Sequence, residues 1–167
     1  MTEETKAAKR SSIANGYVAD LRKLTHDTGA MAMLRRGLGE AYGALEMYPY
    51  VYSLLPEDRA FLSEDSFLQI AALFALHPET CNNKSFGKSF RELWQTHNRR
   101  PSTETRFKAL LAADREMVVT HLHSSVTMMK DKGIRIDYAG LLVDLNNWDH
   151  EDNFVQRGWA KSFWGTK

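Results

Sequence analysis

The chain has 167 residues, of which 43% are hydrophobic and 26% charged, enough for one ordinary domain whose core needs no disulfide or metal. Lysine and arginine total 22 against 21 acidic residues, a net charge of +1. That balance excludes a protein held to polyanions by bulk charge, but not one with a segregated basic face. The lone cysteine, Cys81, excludes an intrachain disulfide and a multi-cysteine metal site, and an inert thiol is the expected reading of it. No apolar stretch approaches the ~20 residues of a membrane span, and the polar start MTEETKAAKRSS has no apolar signal core. A cytoplasmic protein with no membrane partner is expected.

Along the chain the hydrophobic period is helical. Ile13, Tyr17, Leu21 and Leu24 predict a helix over 12–25 behind a polar N-terminal tail. Met31, Leu34, Leu38, Tyr42 and Leu45 share a stripe over 30–45, weakened or split by Gly37, Gly39 and Gly43, with a break near 39. The aromatic run Tyr48–Tyr52 continues to Leu55 as a short helix ended by Pro56. Residues 64–76 are apolar on nearly every side, the pattern of a central buried helix. A loop at 77–84 marks a lobe boundary, dividing an N-terminal helical lobe (1–80) from a C-terminal helical bundle (81–167). The second half predicts helices at 85–95, after an N-cap at Ser102, at 115–131 ended by Gly133, after a cap at Asp137, and at about 151–164. The segment 134–137 comes nearest to a strand and is too short to build a sheet. The expected fold is all-α, about eight or nine short helices in two packed lobes.

The charge is distributed in blocks. Residues 1–36 carry +3, 37–81 carry −6, 82–108 carry +5, 109–136 carry +1 and 137–167 carry −2. In the +5 block, Phe86, Phe90, Leu93 and Trp94 define one face of a helix, and Lys84, Lys88 and Arg91 fall opposite it. Arg99 and Arg100 follow in a loop, and Arg106 flanks the next apolar stripe. Arg36 projects away from the stripe of the second helix, and Arg35 lies at its edge. Such a face is either plainly solvated or a track for phosphates, which guanidinium and ammonium groups recognise without reading sequence.

Motifs for bond-making chemistry do not hold together. Ser85–Lys88 fits S-x-x-K without its companion motifs. His26-Asp27 lacks the partner ligands a helical metal hydrolase needs. His121 and His123, two apart in a helix, point about 200° from one another and do not chelate one ion. Asp149–Asp152 reads as capping and solubility, and the tryptophans as core, with Trp164 nearest a surface. No catalytic residue, cofactor or metal site is expected.

An ordered set of landmarks spans about residues 28–164. They are Met33–Arg36, Ala71–His77, Ser85–Phe90, Glu104–Leu111, Ala113–Arg115, Leu141–Leu145 with Trp148, and Trp159–Phe163. In order and spacing the chain resembles the CasB family, the small subunit of the type I-E CRISPR surveillance complex, Cascade. The resemblance implies a non-catalytic subunit, present as two copies, that helps hold the guide RNA–target DNA hybrid and the displaced strand of the R-loop in antiviral defence. Guide RNA, target DNA, the large and backbone Cascade subunits and a second copy of the chain are the implied partners. It implies phosphate contacts at Arg35, Arg36, Lys88, Arg106 and Arg115. Lys84, Arg91, Arg99 and Arg100 join them from the charge pattern alone. Where the family often carries arginines, this chain reads His121-Leu122-His123. Two other readings remain open: a structural adaptor whose basic face meets acidic proteins, and a small metal hydrolase built on His26-Asp27.

Overall fold

The computed structural model describes residues 2–165, and among these residues the fold is all-α. Helix α1, Glu3–Arg22, starts nine residues earlier than the apolar period suggests, so the polar segment is helix rather than tail. Its cause is local: the Thr2 side chain accepts from the Thr5 amide (3.1 Å), Glu3 and Glu4 sit at the positive end of the dipole, and good helix formers follow. Arg10 Nε fastens it by donating to the Ala60 carbonyl (2.9 Å), and Lys9 pairs with Asp58. Helix α2, Thr28–Arg35, is capped by Asp27, whose carboxylate accepts from the Ala30 amide (2.9 Å). That contact gives the His26-Asp27 pair a structural use. The helix ends before the glycines, which turn the chain through positive φ at Gly39 (76°) and Gly43 (71°).

A 3₁₀ turn, Leu45–Met47, leads into α3, Tyr48–Leu54. Helix α4, Glu64–Leu76, capped by Ser63, is the axis of the molecule, with every residue from Ser66 to Ala75 buried. Helices α5 (Phe86–Thr96), α6 (Pro101–Ala112), α7 (Val118–Asp131), α8 (Tyr138–Asn146) and α9 (Phe154–Trp164) complete the fold. The start of α6 corrects the expected cap at Ser102. Pro101 takes the first helical position with Arg100 at the N-cap, because proline has no amide hydrogen to leave unsatisfied there.

The 80/81 boundary lies in the loop between α4 and α5, and helices from both sides of it share one hydrophobic core: α1 packs on α8, and α4 on both α7 and α8. The same loop is stitched to 134–137. Ile136 donates to the Glu79 carbonyl and Cys81 to the Ile136 carbonyl (both 3.1 Å), forming one isolated parallel bridge. The buried His77 ring bonds the Ile134 carbonyl through Nε2 (2.6 Å), and Tyr138 donates to the His77 carbonyl (2.5 Å). Helices α5 and α9 approach so closely that a Cβ at Gly87 would lie 2.7 Å from Trp159 Cα, a contact only glycine permits.

Asp144 on α8 sits under α9 and accepts from Trp159 Nε1 (2.8 Å), yet burial outweighs that bond and pushes its carboxyl up to about 6. A carboxyl raised above its unfolded value stabilises the fold below about pH 4 and loses that contribution as pH rises through 6. Asp144→Asn keeps an acceptor for Trp159 and removes the buried charge. It is expected to gain about 1–3 kcal/mol over the parent at pH 7.5 and little at pH 4. Denaturant titration at the two pH values checks this, and an equal gain at both would contradict it.

Candidate nucleic-acid interface

Helix α7 organises the basic surface. His123, Thr127 and Lys130 follow at i, i+4 and i+7, so they line up along one side over about 10 Å. At the C-terminal end of that line, Lys130 and Arg35 share a groove of about 340 Å³ with Thr25 and Thr28. Arg35 is held there by donating to the Ala75 carbonyl (3.2 Å) where α4 ends. At the other end Arg106 on α6 reaches the same pocket as His123, Ser124 and Thr127. A second cationic group gathers at the α5–α6 corner. The Arg99 guanidinium lies 5.2 Å from the centre of the Trp94 ring. Burial, helped by the charges of Lys132 and Arg100, holds the His97 imidazole below its ordinary range. His97 Nδ1 lies 2.9 Å from the Thr103 hydroxyl, which fixes the corner.

Of the nine residues singled out in the sequence, Arg35, Arg36, Lys88, Arg99, Arg100 and Arg106 are exposed. Among the described residues none of these six makes an ion pair. The shared face expected for Lys84, Lys88 and Arg91 is corrected. Lys84 precedes α5 and spends its ammonium on Glu92 (2.7 Å) and the Arg135 carbonyl (3.0 Å). Arg91 Nη1 donates to the carbonyls of Phe163 (2.8 Å) and Gly165 (2.5 Å), closing the C-terminal end of α9. Lys88 alone stays free on that face. Arg115 is half-buried, with one guanidinium nitrogen lacking a partner among the described residues. Desolvation lowers its pKa, against the opposing pull of Asp65 and Asp149.

Lys130 and Lys132 escaped the sequence reading. They fall in a block with nearly balanced charge, and only the i+7 step from His123 to Lys130 signals a shared side. The remaining candidate chemistry stays apart. Burial pushes the Cys81 thiol up, away from the thiolate form. No three His, Cys, Asp or Glu side chains among the described residues come together to hold a metal ion. No helix among them is long and apolar enough to cross a membrane. Trp148 and Trp159 are core, and Trp164 is 38% exposed with its Nε1 bonded to Glu104 (2.8 Å).

Fold and surface together define a class: a small all-α protein that, among the described residues, displays exposed cations free of ion pairs. Comparison with known proteins narrows it. The family model described as CRISPR-associated protein Cse2 matches residues 30–164. A CRISPR-associated protein Cse2 from Thermus thermophilus is 33% identical over 141 residues, covering 83% of this chain and 80% of the relative. The crystal structure of CasB from Thermus thermophilus superposes with a TM-score of 0.77 at 29% identity, covering 91% of this chain and 97% of that one. A chain of a CRISPR RNA-guided surveillance complex superposes with a TM-score of 0.79 at 26% identity, covering 92% of each. The protein belongs to the CRISPR-associated protein Cse2 (CasB) family.

Proposed function

We propose that this chain is a non-catalytic small subunit of an RNA-guided Cascade complex, holding nucleic-acid backbone without reading sequence and stabilising the guide–target hybrid and the displaced strand. The carrying observation is the set of five exposed arginines and Lys88 that make no ion pair among the described residues, in a chain whose net charge is only +1. Membership in the Cse2 family and the likeness to a chain of an RNA-guided surveillance complex support the setting. An R-loop is a nearly balanced exchange of duplexes, so a few backbone contacts suffice to tip it. Near-neutral overall charge makes the isolated chain a weak binder that acquires its affinity within an assembly holding the strands in place.

The structural-adaptor reading also has an observation of its own. Tyr42, Leu45, Phe61 and Met117 are exposed apolar side chains, three of them within the acidic block 37–81. They suit contacts with neighbouring subunits, including a second copy. Photo-crosslinking in the assembled complex separates the two roles. Probes at positions 36, 88 and 106 are expected to capture guide or target strands, and a probe at position 45 to capture protein. Capture of protein alone from all four positions would favour the adaptor.

A further inference from the structure

We infer that the polar groove between α1, the loop 80–83 and the start of α8 binds a short extended peptide of another protein. A basic side chain of that peptide sits at Asp137 and Asp144, and a carboxylate at its other end sits at Arg22 and Arg135. The site lies apart from the nucleic-acid surface, because none of Arg35, Arg36, Lys88, Arg99, Arg100 and Arg106 lines it.

Two adjoining hollows of about 530 and 640 Å³ form the groove and share Asn15 and Asn82. Along α1, Ser11, Asn15, Val18 and Arg22 recur at i, i+4, i+7 and i+11, so one side of a single helix makes the whole wall. From Ser11 to Arg22 that wall runs about 16 Å, the span of about five extended residues. The opposite wall is fixed in place. The Cys81 amide donates to the Ile136 carbonyl (3.1 Å) and the Lys84 amide to Asp137 Oδ2 (3.3 Å), which holds the loop on both sides of Asn82 and Asn83. Both of these asparagines are exposed. Asn15, on the facing wall, ties its Nδ2 to the Ser11 carbonyl (2.9 Å) and keeps its amide oxygen as an acceptor. A carboxamide offers the same donor and acceptor that a peptide unit seeks. An extended chain has N–H and C=O groups free to meet it, whereas a helix has spent its own.

Charge distinguishes the two ends. Arg22 and Arg135 line only the larger hollow, and Asp137 and Asp144 only the smaller. Among the described residues none of these four makes an ion pair. Arg135 keeps its side chain exposed while its carbonyl is pinned by Lys84 Nζ and by the Ser89 hydroxyl (both 3.0 Å). Asp144 gives one oxygen to Trp159, and burial first, then the neighbouring Asp137 charge, opposes its ionisation. A ligand cation placed between the two carboxylates offsets both effects. The same carboxylates repel a phosphate chain, so the groove does not continue the nucleic-acid surface. The charged lining sums to zero but is polarised. Its complement is a peptide with opposite charges at positions i and i+4, which point the same way from an extended chain.

The test starts from an array of acetylated, amidated pentapeptides probed with the full chain. Lys-X-X-X-Glu and Glu-X-X-X-Lys, with the inner positions varied, stand beside Lys-X-X-X-Lys and Glu-X-X-X-Glu. Binding is expected to concentrate in one of the two mixed-charge orders. The tightest peptide is then titrated in solution against the parent and two variants. Asp144→Asn, which is expected to fold more firmly than the parent, should weaken binding about tenfold. Arg22→Gln with Arg135→Gln, at exposed positions outside the core, should do the same. Bound peptide should also slow alkylation of Cys81, the one cysteine, which lines the larger hollow. No binding by either mixed-charge order would overturn the inference, as would affinity unchanged in both variants or undiminished alkylation of Cys81. Weaker binding of a single-stranded oligonucleotide by the double-glutamine variant than by the parent would mark the groove as nucleic-acid surface and overturn it too. The proposed function rests on other cations and stands apart from all of these results.

Discussion

Replacing Phe163 with alanine is expected to cost about 3–5 kcal/mol of folding free energy. The Phe163 ring is fully buried and stacks on Phe107 with centroids 4.2 Å apart. It also lies 4.9 Å from Trp94 and from Trp164, and 6.1 Å from Phe90. Three helices, α5, α6 and α9, therefore meet at one side chain near the C-terminal end of the last of them. Truncation opens a cavity whose other walls are rigid rings that collapse poorly, so the lost transfer energy and the cavity term add. The backbone there is a second anchor, since the Phe163 carbonyl accepts from Arg91. Phe163→Leu keeps most of the volume and should lose roughly half as much. Denaturant titration of both variants checks the ranking, and a loss under about 1 kcal/mol for alanine would show that α9 is not held there. Because Arg99 and Arg100 lie in the turn between α5 and α6 and Arg106 lies on α6, loosening this joint is also expected to weaken nucleic-acid binding without removing a cation.

Much of the architecture was legible because hydrophobic period reports burial. The all-round apolar run at 64–76 became the buried α4, and Asp137 caps α8 through its side chain, as its place before the apolar run suggested. Segments whose order comes from capping and polar contact were less legible. The first three turns of α1 bury little, so they leave no periodic trace, and Thr2 with Glu3 and Glu4 starts the helix instead. The candidate interface divides in the same way. Periodicity showed which side of a helix Lys88 and Arg91 leave, but not that Arg91 would reach a partner helix 72 residues away in sequence. Lys84 likewise finds Glu92 and the Arg135 carbonyl only once the 134–137 segment is stitched alongside. Lys130 shows the converse. Its block carries only +1, and the fold brings it to Arg35 from another helix. Block charge thus located basic territory, and tertiary contacts decided which cations remain free.

Those free cations are expected to dominate retention of target DNA. Reversing Arg35, Arg36, Lys88 and Arg106 together to glutamate leaves the core untouched, since all four are exposed and none makes an ion pair among the described residues. Only the Arg35 bond to the Ala75 carbonyl is removed, at a cost of about 1 kcal/mol. The four changes should weaken binding of target DNA to the assembled complex by about a hundredfold near physiological salt. Lys84→Ala and Arg91→Ala form the control. Their donors are already occupied within the chain, so they should lower stability with little change in binding. The most direct measurement is the salt dependence of target-DNA affinity for complexes carrying the parent chain or the fourfold variant. If these residues hold backbone phosphates, the slope of log affinity against log salt should shrink by about 0.7–0.9 for each phosphate no longer neutralised, roughly three in all. An unchanged slope, with the variant folded and incorporated, would contradict the assignment of this surface to nucleic acid.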